Sequence, residues 1–250
     1  MKRALRGVLP GLGLVLLLGV ILWQWPATAV SPWVSAGSGG RVRLTNEVGT
    51  LWHGSAELAL VNGQAEGDWP GRIEWRIEPQ WTGLGLILTN ATEHAGLLVR
   101  GRWHGGVWDL QPGQGYFPAQ LLEGLGMPFT TLHPGGRVHV QWGAAQWQGG
   151  ELTHPWTGEC LLEALTSRLS PVTPLGSYEV RAVVSRLGTH LTLTTRQGPL
   201  QLRGEGEQGP GKFHFTGQAG ADPAQRFVLA GLLSILGKPE GEGVRLDYVP

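Results

Sequence analysis

Arg72-Ile73-Glu74-Trp75-Arg76-Ile77 alternates charged and apolar side chains at every step, and Tyr178-Glu179-Val180-Arg181-Ala182-Val183 does nearly the same far downstream. Successive side chains of a strand point to opposite faces, so this period of two makes a strand with one face on a core and one face wet. Shorter runs of the same kind occur at Arg41-Val42-Arg43-Leu44, Glu57-Leu58-Ala59-Leu60-Val61, Arg137-Val138-His139-Val140 and His190-Leu191-Thr192-Leu193-Thr194. Between them the 41 glycines and 17 prolines of this 250-residue chain are scattered as turn punctuation, not in tandem. Helical periodicity is nearly absent. The pattern predicts a mainly β fold with a twisted antiparallel sheet.

One helix is signalled. Asp222 is placed to cap it, Pro223 suits its first position, and Gly237 and Pro239 end it. The intervening residues are apolar on nearly every side and are expected to be buried. A shorter counterpart runs from Pro118 to Gly126. Pro118-Ala119-Gln120 recurs as Pro223-Ala224-Gln225, each leading through Leu-Gly to an alternating strand, and Trp52-His53-Gly54 recurs as Trp147-Gln148-Gly149. These echoes divide the body, residues 41–250, into two related units of about 41–142 and 143–248, each several strands, a short helix and a closing strand.

Ahead of the body, residues 7–25 are uncharged and follow Lys2, Arg3 and Arg6. As a helix these 19 residues would be about 28 Å long, close to the hydrocarbon thickness of a bilayer. Trp23 and Trp25 stand at the far end, where indoles favour the headgroup layer, and the positive charges on the near side place the amino terminus in the cytoplasm. Residues 1–30 are therefore expected to form a cytoplasmic tip and a single-pass anchor, with 31–40 a linker by composition. A cleaved signal peptide is the competing expectation, because Ala27-Thr28-Ala29 has the small-x-small pattern of a cleavage site; the apolar run is longer than such peptides usually carry. Either way the body is exported.

Chemistry-bearing motifs fail their structural requirements. Nineteen Lys and Arg balance nineteen Asp and Glu, which removes the basic footprint of a nucleic-acid binder. Gly204-x-Gly206-x-x-Gly209 spells a dinucleotide fingerprint, but a turn and a strand follow it where a helix is needed. The eight histidines form no metal-binding pair, and Cys160 is the sole cysteine, with no nucleophile motif around it. No catalytic, cofactor-binding or metal-ligating residues are expected, nor any cofactor. The twelve tryptophans are expected to fill the space between sheets, or alternatively to build a sugar platform or a protein interface.

Several motifs in order carry a resemblance: Gly49-Thr50-Leu51-Trp52-His53-Gly54-Ser55-Ala56, Ile73-Glu74-Trp75-Arg76-Ile77 ending in Pro79, Leu175-Gly176-Ser177-Tyr178, Gly198 to Gly206, and Phe215-Thr216-Gly217-Gln218-Ala219 before the Pro223 helix. Over nearly its whole length the chain resembles the type II secretion system protein N family; residues 82–115 are the divergent part. The resemblance implies an accessory, non-enzymatic component of general secretion, anchored in the bacterial inner membrane with its bulk in the periplasm and with other secretion components as partners. A membrane-anchored lipid carrier, its apolar sheet face curled into a trough, is the alternative; a glycan-binding module ranks third.

Overall fold

The computed structural model describes residues 23–62, 65–208 and 213–248. Among them the chain forms seventeen strands of one antiparallel sheet. The first seven are β1 (Val42–Gly49), β2 (His53–Asn62), β3 (Ala65–Gln80), β4 (Gly83–Ala91), β5 (Gly96–His104), β6 (Val107–Leu110) and β7 (Gly113–Pro118). Next come β8 (Pro134–Trp142), β9 (Ala145–Gln148), β10 (Glu151–Leu152), β11 (Trp156–Ser167) and β12 (Gly176–Ser185). The last are β13 (Gly188–Gln197), β14 (Leu200–Gln208), β15 (Phe213–Ala221), β16 (Lys238–Glu240) and β17 (Gly243–Tyr248).

The pairing is a meander. β1 to β5 pair in chain order, β5 continues to β7, and the order then runs β8, β11, β12, β13, β14, β15, β17, β16. β6, β9 and β10 extend β7, β8 and β11 towards the far turns, with β6 paired to both β5 and β9. Alternation survives the whole path. Leu97, Gly115, Val140, Cys160, Val180, Leu193, Gly204, Gly217 and Leu246 lie opposite one another strand after strand on the apolar face. One residue along, Leu98, Gln114, Gln141, Glu159, Arg181, Thr192, Glu205, Thr216 and Asp247 make the matching row on the polar face.

Helices cover the apolar face at one end. A 3₁₀ helix, Ala119–Leu125, and the four-residue turn Phe129–Leu132 connect β7 to β8. Another 3₁₀ turn, Pro223–Gln225, opens α-helix Arg226–Leu236, which connects β15 to β16. Leu229, Leu232 and Leu233 of that helix pack with Leu175, Tyr178, Leu200, Ala219 and Val244 into the main core. Tyr178 is fully buried and its hydroxyl donates to the Leu200 carbonyl at 3.0 Å. Leu162 and Leu165 both reach this core although they are three residues apart. Ala164 is an extra, bulged residue at φ 47°, and it returns Leu165 to the side that Leu162 faces.

The helix signalled by Pro223 is present but not buried all round. Phe227, Val228 and Ile235 are exposed, because the helix lies on the sheet with nothing over its outer side among the described residues. Asp222 makes no capping hydrogen bond. A second difference concerns the stretch of linker composition. Val30–Gly37 is an α-helix, preceded by a 3₁₀ turn at Ala27–Ala29. Ala27 is 2% exposed and packs with Leu44, Ala56 and Trp75, with Val30 and Val34 alongside. Pro26 bridges to Thr50, and the Leu51 amide donates to the Trp25 carbonyl at 2.8 Å. Most of the apolar stretch 7–25, which carries the anchor expectation, lies outside the described residues; among those described, no helix is long and apolar enough to cross a membrane.

Glycines and large rings are paired across strands. Gly54 faces Trp75, Gly113 faces Trp142, Gly96 faces Tyr116, and Gly206 faces Phe215. A Cβ on Gly54 would stand 2.5 Å from Cζ2 of Trp75 and 2.9 Å from the Thr50 carbonyl oxygen. The missing side chain is the space into which the ring lies. Trp75 is buried and its indole N–H donates to the Leu51 carbonyl at 3.0 Å, so it has little freedom to yield. Gly54→Ala is therefore expected to cost about 1–3 kcal/mol through overpacking, read as a lowered urea midpoint at unchanged slope.

Candidate interaction surface

A sheet that does not close has two edges, and an unpaired edge is a template for another strand. The first edge is β1, and it is covered. The hydroxyl of Ser38 accepts from the Val42 amide at 3.0 Å, and that of Ser31 donates to the Leu44 carbonyl at 3.3 Å. Both serines belong to the amino-terminal helix or its cap, so this helix engages the Val42 amide and the Leu44 carbonyl of β1. Asn46, at φ 52°, adds a bulge that breaks the rest of the edge. The second edge is different. β16 is three exposed residues, one of them Pro239, and it stops at the pair Lys238–Arg245. Beyond that pair, Leu246 to Tyr248 have a described strand neighbour on the β15 side only. The last helix, which packs on β15 and β17, exposes Phe227, Val228 and Ile235 on its outer side.

The polar face holds an open hollow of about 1340 Å³ whose walls include Gln114, Gln141, Glu159 and Arg181. Close to it, Glu179 is 5% exposed and accepts ion pairs from Arg181 on one oxygen and Arg196 on the other. Both lone-pair sets of a buried carboxylate are thereby used in holding the sheet, which leaves Glu179 without the freedom of an acid–base catalyst. Near the far turns Asp109 accepts from the Gln146 amide at 2.9 Å and lies 2.7 Å from Nε2 of His104. On the apolar face, burial pushes the Cys160 thiol up to about 11, so the thiolate that a nucleophile needs is disfavoured. Gly204 and Gly206 sit inside β14 with a strand following; Gly209 lies outside the described residues. Among the described residues no three His, Cys, Asp or Glu side chains gather as a metal site would require.

The tryptophans do not fill the core as expected. Only Trp75 among them belongs to the buried set, whose other apolar members are leucine, alanine, valine, Ile73 and Tyr178. Leu84, Trp103, Trp108, Trp147 and Leu152 instead stand in one cross-strand row near the far turns. The spacing of the sequence could have shown this row only with the register known. The expected alternative, a lipid trough, gains no support: the helical end of the apolar face is filled.

Residues 40–246 match the family model of the type II secretion system (T2SS), protein N. The chain belongs to the type II secretion system protein N family. It is thus a component of type II secretion, a pathway whose protein N members are associated with the inner membrane. The match begins just before β1 and ends within β17, so it spans the whole meander, including the Gly- and Trp-rich β4 to β7. No curated protein and no solved structure matches the chain.

The Gln146 amide, followed by His104, holds the Asp109 carboxyl below its ordinary value. A carboxyl lowered in the folded state stabilises the fold above its unfolded value, and that contribution disappears as pH falls through the lowered one. The urea midpoint of the protein is expected to drop below about pH 4, and Asp109→Asn is expected to flatten that decline when midpoints are measured across the acid range.

Proposed function

We propose that this protein N is a non-enzymatic scaffold, held in the bacterial inner membrane by residues 7–25, with its amino terminus in the cytoplasm and its sheet in the periplasm. The observation that carries the scaffold role is the inequality of the two edges. At one, serine hydroxyls hold the Val42 amide and the Leu44 carbonyl; at the other, Leu246 to Tyr248 have no strand neighbour beyond β15 among the described residues, and the last helix, which packs on β17, exposes Phe227, Val228 and Ile235. A partner strand added there would gain main-chain hydrogen bonds from the edge and apolar burial from Phe227, Val228 and Ile235. Other components of the secretion machinery are the partners this surface serves.

The body is two copies of one plan. β2, β3, β4, β5 and β7 lead through a helical segment to β8; β11, β12, β13, β14 and β15 lead through a helical segment to β17. The helical segments start at Pro118-Ala119-Gln120 and Pro223-Ala224-Gln225, the repeated tripeptide. This correspondence supports a duplication with units near 41–142 and 143–248.

Retention of the anchor is supported by Ala27. Cleavage after Ala29 would remove a residue that is 2% exposed and packed with Leu44, Ala56 and Trp75, together with the Pro26 and Trp25 contacts to the β1–β2 turn. Intact mass spectrometry of the protein from membranes is expected to find the residues ahead of Ala27 still attached; a chain starting at Val30 would refute the anchor.

The scaffold role is tested by photo-crosslinking in cells that secrete. A benzophenone amino acid at Phe227 or Asp247 is expected to give adducts identified as type II secretion components, while one at Glu66 gives none. Absence of any secretion component from both positions would sink the proposal.

A further inference from the structure

In a meander, alternate turns lie at the same end of the sheet. The turns β1–β2, β3–β4, β5–β6, β9–β10 and β12–β13 share the end opposite to the helices. The chain arrives from its apolar amino-terminal stretch at this same end: Pro26 bridges to Thr50, Trp25 accepts from Leu51, and Trp23 stacks on Trp52 with ring centroids 6.1 Å apart. The turn residues here are Thr50-Leu51-Trp52, Trp81-Thr82, Gly105-Gly106, Gly149-Gly150 and Arg186-Leu187. Trp81 is fully exposed and Leu187 is 90% exposed. Behind them the row of Trp103, Trp108 and Trp147 crosses three neighbouring strands, with Trp103 and Trp108 more than a third exposed. Trp23 and Trp25, at 65% and 47%, continue the same rim. Arg186 carries the one charge among the five turns, and it is positive.

We propose that this rim rests on the outer surface of the membrane that anchors the chain, with Trp81, Leu187 and the neighbouring indoles in the headgroup layer. The proposal rests on the anchor reading of residues 7–25. Indoles at headgroup depth form the same belt that flanks membrane-spanning segments, and here the belt is distributed over hairpin turns. A lipid surface fits better than a sugar. Leu187 has no stacking face, yet it is among the most exposed apolar side chains of the rim, and an aliphatic tip gains by leaving water for acyl chains. Arg186 is paired with Glu151, just past the Gly149-Gly150 turn, at 3.8 Å, so these turns present no uncompensated charge to a leaflet. Seated this way, the sheet stands with its strands rising from the bilayer and its helical end furthest away. β4, at nine residues, carries Glu93 in the next turn to about 30 Å from Trp81.

The test uses the full chain in nanodiscs of phosphatidylethanolamine and phosphatidylglycerol. In a Cys160→Ser background, Trp81→Cys, Leu187→Cys and Glu93→Cys each carry an environment-sensitive fluorophore, and spin-labelled headgroup lipid is the quencher. All three positions are exposed, so the substitutions leave packing intact, and circular dichroism verifies this. Quenching at 81 and 187 is expected to exceed that at 93 by at least about threefold. Co-elution of chain and disc reports the anchor separately. A chain that co-elutes but is quenched equally at all three positions overturns the rim alone; a chain that does not co-elute overturns the anchor, and the rim with it.

Discussion

Each strand of this molecule must keep its apolar side chains on one face while hydrogen-bonded to a neighbour under the same obligation. A slip of one residue anywhere along the meander would put every later apolar side chain on the wrong side. The unbroken row from Leu97 to Leu246, nine strands wide, shows that no such slip occurs. Where the core demands a different spacing, the backbone supplies it locally. Ala164 is displaced so that Leu162 and Leu165 meet the same core, and the extra residue Arg196 in β13 accompanies an ion pair to the buried Glu179. The sheet is thus regular over long distances because its irregularities are confined to single residues.

The composition follows from the same requirement. The tryptophans are expected between sheets, yet of those among the described residues only Trp75 is buried. Rings on one strand lie over glycines on the next, so the glycine excess and the tryptophan excess each account for part of the other. This relation explains why the strands with clean alternation, such as Arg72 to Ile77, are legible from sequence whereas β4 to β7 are not. In β4 and β7 the alternate positions Gly83 and Gly85, and Gly113 and Gly115, carry no side chain, so hydropathy shows no period there. The helix at Val30–Gly37 was hidden for a related reason: serine, glycine and proline give it linker composition, while its stability comes from Val30 and Val34 resting on Leu44 and Trp75.

The interaction surfaces were less legible than the fold, because they depend on what is left unpaired. Sequence shows that the last helix is apolar; only its seating reveals that Leu229, Leu232 and Leu233 face inward and Phe227, Val228 and Ile235 do not. Likewise no motif marks Leu246 to Tyr248, which β16 does not reach.

The two serines on β1 also bear on what copies of this protein do to one another. A ribbon with one receptive border and one bare border is a head-to-tail building block: the border at Tyr248 of one molecule could seat on the Val42 border of the next, and the operation repeats without closing. Ser31 and Ser38 hold the Leu44 carbonyl and the Val42 amide at the receiving border, so a strand from a second copy would have to displace both hydrogen bonds to seat there.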